Sequence, residues 1–213
     1  MIALQNNMKM YGNGRVISFT DVGLETSPVI IFIHGFPFNK LMWKKKVETL
    51  ENDFRIIAYD ILGTGTDDRN FTDYSIDFYI TELLNLMDML GIEKATLCGL
   101  SLGGYVAQCA IENYPARFVS ILISDLNSDG NMFVTREDGK RAIENIRING
   151  VNEFNDENLK MLFSSESLAI NFKEIATAWK MIVKSAAQWH FNSIQDNAFP
   201  RSGFKKHRET IIV

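Results

Sequence analysis

Leu97-Cys98-Gly99-Leu100-Ser101-Leu102-Gly103-Gly104-Tyr105 is the stretch on which the reading of this chain turns. It joins an apolar run, Ala95–Cys98, to Tyr105, Val106, Ala107, Ala110 and Ile111, which recur at helical spacing. The junction is therefore a strand that turns straight into a helix, with a serine at the apex and Gly99 and Gly103 on either side in the pattern Gly-x-Ser-x-Gly. Such a turn crowds the backbone around its apex, so the flanking positions must lack bulk. It lifts the serine oxygen clear of the sheet. It also aims the N–H of the next residue, Leu102, and the positive end of the helix at any negative oxygen that forms there. Ser101 is the candidate nucleophile on these grounds.

Two further stretches surround it. Ile30-Ile31-Phe32-Ile33-His34-Gly35-Phe36-Pro37 is a β-branched strand ending in His-Gly-aromatic-Pro, with Trp43 shortly after. Ala58-Tyr59-Asp60-Ile61-Leu62-Gly63-Thr64-Gly65 ends another strand in Asp-x-x-Gly-x-Gly. In this order the three motifs resemble the α/β-hydrolase superfamily, in its esterase and cofactor-free haloperoxidase-like branch, over roughly Arg15 to Trp189.

Composition agrees with one soluble globular domain. The chain has 213 residues, 46% of them hydrophobic and 23% charged, enough to bury a sizeable core. A formal net charge of -4 argues against a nucleic-acid partner. The two cysteines, Cys98 and Cys109, lie beside the turn and on the helix after it, and read as buried thiols of a reducing compartment. Residues Met1–Met10 hold no long apolar segment and no run is long enough to span a bilayer, so a cytoplasmic protein without a membrane partner is expected.

Taken in order, Met8–Tyr11 and Val16–Thr20 read as a hairpin turned at Gly12-Asn13-Gly14. Val29–Ile33 is apolar on both faces, as a strand covered by helices on each side must be. A helix follows from about Lys40 to Leu50, with Trp43, Val47 and Leu50 inward and Lys44-Lys45-Lys46 as its solvated face. Phe54–Tyr59 is the next strand. The Gly-x-Gly after it lacks the third glycine and the helix start that cradle a pyrophosphate, which excludes a dinucleotide site. Ile76, Tyr79, Ile80, Leu83, Leu84, Met87 and Leu90 mark a helix that Gly91 closes. Ser101–Asn113 is the helix of the turn, and Phe118–Ser124 is a further parallel strand ending at Asp125. The fold class is thus α/β, a doubly wound, mostly parallel sheet.

Beyond Asp125 only helical patterns continue, to about Trp189, the clearest being the stripe Phe172, Ile175, Ala176, Trp179, Ile182, Val183 and Ala186. The resemblance makes 127–189 a helical cap on a core of 1–126, with Met132, Phe133, Met161, Leu162 and Phe163 as cap core or pocket lining. Residues 190–213 form a tail in which Thr210–Val213 begins another strand.

The resemblance also assigns roles. Ser101 would attack the substrate, and the N–H groups of Phe36 and Leu102 would hold the oxyanion. His34 and Gly35 would brace the loop that carries Phe36. A serine needs a base, and the base an orienting carboxylate. The family usually places that carboxylate after the strand begun by Thr210–Val213, and the histidine one strand later, so the chain reads as C-terminally truncated relative to the family, lacking the last strand–helix elements. Of three histidines, His190 and His207 lie in the tail and read as surface residues, the alternative for either being a base that swings towards Ser101. Asp125 is the substitute acid, since some members carry theirs at that position, while Asp60 reads as a loop-organising residue. No metal or cofactor is implied. The expected activity is hydrolysis of a small carboxylic ester. The alternative is a catalytically impaired relative that binds a small ligand. An uncovered sheet edge would favour a homo-oligomer.

Overall fold

The computed structural model describes residues 7–11, 15–36, 38–62, 75–125, 144–145, 148–149 and 210–212. Its first strands, β1 (Asn7–Tyr11) and β2 (Arg15–Val22), form an antiparallel hairpin in which Met10 pairs with Val16. β3 (Val29–Ile33) leads through a 3-10 turn, Lys40–Trp43, into α1 (Lys44–Leu50). β4 (Arg55–Tyr59), α2 (Ile76–Met89), β5 (Ala95–Leu100), α3 (Leu102–Asn113), β6 (Phe118–Ser124) and β7 (Thr210–Ile212) follow. The described strands make one seven-stranded sheet in the order β1-β2-β4-β3-β5-β6-β7. From β4 onward every pairing is parallel. A reversal of strand order about β3 leaves a crevice at the carboxyl ends of β3 and β5, the place where open α/β sheets present their functional groups.

Helices cover both faces. Val47, Trp43 and Leu50 pack on Phe32, Ile56 and Ala58, and the Trp43 ring stacks on Phe32 with centroids 4.8 Å apart. The other face carries the larger core, where α2 and α3 bury Tyr79, Ile80, Leu83, Val106 and Ala110 against Ile31, Ile33, Ile57, Leu97 and Ile121. Every residue of β4 is buried, including Arg55, whose guanidinium donates to both carboxylate oxygens of Asp21 at 3.0 and 2.7 Å. In β5 burial alternates: Ala95, Leu97 and Gly99 are buried, while Thr96, Cys98 and Leu100 are half-buried.

Several expectations meet their structure here. The strand Phe118–Ser124 and the strand start at Thr210 stand as read, and the two hairpin strands pair as expected with the second running from Arg15 to Val22, while Gly12-Asn13-Gly14 lies outside the described residues. Ser75 caps α2 by accepting from the Phe78 N–H, and Gly91 closes it at φ +66. Three details differ. The helix read from Lys40 opens with a tighter turn whose Lys40 is buried, because Asn39 takes the cap and the lysine finds a carboxylate below. The strand before the serine runs on to Leu100, and α3 begins only at Leu102. On α2 the fully buried stripe takes in Glu82 and Leu86 rather than Leu84 and Leu90. Almost all of 127–189, where a helical cap is expected, with the residues named within it, and residues 63–74 lie outside the described residues, as do His190 and His207.

Candidate active site

β5 and β3 end side by side, Gly99 opposite Ile33. One residue past β5, Ser101 adopts φ 49 and ψ -113, a region that non-glycine residues avoid. Holding such a conformation costs about 1–3 kcal/mol and requires surroundings that over-determine it. The surroundings are visible. The Ser101 N–H donates to Ser124 O at 3.1 Å and its carbonyl accepts from the Tyr105 N–H at 3.1 Å. Gly99 lies so close to Gly103 that a Cβ there would run into the Gly103 carbonyl and come within 2.7 Å of Gly104 N. A Cβ on Gly103 would strike the Ile33 carbonyl and lie 2.7 Å from His34 O. Both glycines are thus fixed by close approach of backbone to backbone, as their flanking places in the motif require. Although Ser101 stands at the N-cap of α3, its hydroxyl makes no capping bond. Leu102 opens the helix, where first-turn N–H groups have no intrahelical partner.

The His34–Phe36 loop lies against this serine: a Cβ built on Gly35 would sit 3.4 Å from Ser101 Cβ and 3.1 Å from Leu100 O. His34 is wholly buried behind it. Its Nε2 accepts the Ile61 N–H at 3.0 Å, so Nδ1 carries the proton and donates to Gly35 O, also at 3.0 Å. Burial pushes the His34 pKa below its usual 6.5, opposed by the nearby Asp60 and by the Gly35 bond and assisted by Lys40. Gly35 O also accepts the Phe38 N–H at 2.9 Å. The peptide between Gly35 and Phe36 is planar, and its C=O and N–H point opposite ways. Two donors holding the Gly35 oxygen therefore fix the Phe36 N–H in the reverse direction. His34 has both nitrogens committed and is not placed to act as a base.

Asp125 stands where the register puts it. Leu100 pairs with Ser124, so Ser101 and Asp125 are the next residues of adjacent strands, and Asp125 too has a positive φ, 54. Its side chain is exposed. Asp60, by contrast, is spent: Oδ2 accepts from Lys40 Nζ at 2.7 Å and Oδ1 from the Lys40 N–H at 2.8 Å. Lys40 Nζ also donates to Ser18 Oγ.

Lys40 and Glu82 are buried charges that the sequence reading passed over. Glu82 accepts the Leu62 N–H at 3.2 Å, tying α2 to the loop after β4. The available signals were a cation in the first turn of a helix, at the wrong end of its dipole, and a carboxylate on the edge of an apolar stripe. Cys98 and Cys109 are free, their thiols pushed up by burial to about 11 and about 12, which leaves neither as a nucleophile at neutral pH. Among the described residues no cluster of side chains could hold a metal ion, and no helix is long and apolar enough to cross a membrane.

Comparison with known proteins points one way. A sequence model of the alpha/beta hydrolase fold matches residues 28–143. A 3-oxoadipate enol-lactonase of Acinetobacter baylyi is 33% identical over 141 residues, 65% of this chain but only 50% of that enzyme. Among solved structures, a hydrolase from Pseudomonas aeruginosa superposes with TM-score 0.80 at 18% identity, covering 90% of this chain and 73% of its own. A thermophilic esterase from Thermogutta terrifontis gives TM-score 0.78 at 24% identity, covering 93% and 74%. The match thus spans about half the length of the curated lactonase and about three quarters of the solved chains.

Proposed function

This chain belongs to the alpha/beta hydrolase fold family, and from that premise we propose that it is a serine hydrolase of small carboxylic esters, working without a cofactor through an acyl-enzyme on Ser101. The observation that carries the proposal is the Ser101 backbone, held at φ 49 and ψ -113 with its hydroxyl left out of the helix cap. Strain of this kind is retained where it positions a reacting group. Ser101 Oγ attacks the ester carbonyl carbon and gives up its proton to a base. The carbonyl oxygen becomes an oxyanion between the N–H groups of Phe36 and Leu102, each such donor being worth about 10²–10³ in rate. The alcohol leaves with that proton. Water then attacks the acyl-serine, and the acid departs as the serine is restored. The carboxylate we assign to orient the base is Asp125. His34 is committed to the loop, so the base comes from elsewhere, and His190 and His207 lie outside the described residues.

The related lactonase acts, by its name, on an enol-lactone, a cyclic ester, which keeps the proposal to ester and lactone carbonyls. Two free thiols support a reducing, cytoplasmic setting. The commitment of His34 favours one second reading, a binding module that keeps the turn and the loop but not the chemistry. Pre-steady-state hydrolysis of p-nitrophenyl acetate separates the two. A hydrolase of this mechanism releases a burst of one p-nitrophenolate per chain before the slower steady phase. A binding module shows no burst.

A further inference from the structure

Behind the loop that faces Ser101 lies a buried set of charges that the reaction does not touch. Lys40 comes from the turn after β3, Asp60 and Ile61 from the exit of β4, and Ser18 from β2. Side-chain exposure is 5% for Lys40 and 8% for Asp60, so neither charge is hydrated and each depends on the other. One residue beyond Asp60, the Ile61 N–H donates to His34 Nε2. That bond exists only while Nε2 is unprotonated. A second proton on His34 would set two N–H groups head to head and release the imidazole, and with it the Gly35 oxygen that it holds.

We propose that Lys40 is a positioning residue: by neutralising Asp60 at 2.7 Å it keeps His34 uncharged and singly protonated on Nδ1, and so holds the Gly35–Phe36 peptide in the orientation that presents the Phe36 N–H to Ser101. Two charged groups among the described residues act on His34. Asp60 draws a proton toward it and Lys40 opposes that, while Glu82 of α2 accepts the Leu62 N–H. Removing the ammonium leaves a buried carboxylate that draws a proton toward the imidazole. The position calls for a cation rather than for a hydrogen-bonding side chain alone.

The proposal extends the serine-hydrolase reading, yet its test is spectroscopic and separable from it. With three histidines in the chain, ¹⁵N-histidine labelling resolves His34 directly, and His34→Asn assigns it. At about pH 6, where an unperturbed histidine is mostly protonated, the wild-type ring is expected to show one protonated nitrogen, Nδ1, and one bare. Lys40→Met is expected to raise the imidazolium population at that pH roughly tenfold, and Lys40→Arg to leave it low. The double variant Lys40→Met/Asp60→Asn, which removes both charges together, is expected to restore the neutral ring. A wild-type His34 doubly protonated at about pH 6 would overturn the proposal without any variant. So would a Lys40→Met protein whose His34 is unchanged. If Lys40→Met does not fold, Lys40→Gln, which keeps a hydrogen-bonding side chain but no charge, takes its place with the same expectation, and an unchanged His34 in that variant would overturn the proposal. A chain with this His34 behaviour that gives neither a burst nor turnover of p-nitrophenyl acetate would refute the hydrolase reading and leave the positioning role standing.

Discussion

Ser101→Ala is expected to lower kcat for ester hydrolysis by about 10⁶, with the residual rate still roughly 10³ above water from the oxyanion donors and binding alone. The size follows from the order of events. Every later step passes through the acyl-serine, so removing the attacking oxygen removes the pathway rather than slowing one step of it. The fold is expected to survive. Ser101 contributes to α3 through its backbone, donating to Ser124 O and accepting from the Tyr105 N–H, and alanine keeps both bonds. Its hydroxyl caps nothing, so the usual cost of losing an N-cap does not arise. What remains is the unfavourable φ of 49, which burdens alanine as it burdens serine. The variant should therefore have a urea midpoint close to wild type. A steady-state assay on a short-chain ester, run beside that unfolding curve, checks both halves.

Gly103→Ala is expected to cost more than about 3 kcal/mol of stability, at or beyond the upper end of ordinary overpacking, because the obstacle is backbone on both sides. The added methyl would meet the Ile33 carbonyl and lie 2.7 Å from His34 O, at the ends of a buried central strand that cannot rotate away. α3 would have to lift from β3, opening the core where Leu102 and Val106 are wholly buried. Stability of a domain this size is about 5–15 kcal/mol, so the loss is a large share of the whole. Gly91→Ala is the matched control. It adds the same methyl at φ +66 but with nothing within 4 Å, so only backbone strain of about 1–2 kcal/mol should appear. Urea midpoints for the two variants give the comparison directly.

What the sequence discloses and what it hides divide along physical lines. The turn around Ser101 is legible because it is local: glycine, serine and glycine at fixed spacing admit few other backbones. β3, β4 and α2 are legible because burial on two faces or one writes itself as a continuous apolar run or a helical stripe. The loop from His34 to Phe36 is legible through its motif, although nothing local says that Gly35 comes to lie against Ser101. Lys40, Asp60 and Glu82 are different. Their pairing spans 20 residues from Lys40 to Asp60 and 20 from Leu62 to Glu82, and charged residues in a single sequence read by default as solvated. Only the topology, by setting β4 between β2 and β3, brings them together. Asp125 is a middle case: a polar residue at a strand end is ordinary, the resemblance alone singles it out in the sequence, and the register then sets it beside Ser101.

Treatment of the purified protein with a fluorophosphonate, followed by peptide mass spectrometry, tests the central claim most directly. The account predicts one adduct per folded chain, on the Ser101 oxygen, absent after Ser101→Ala. A folded chain that takes up no label, or takes it on another residue, would contradict it.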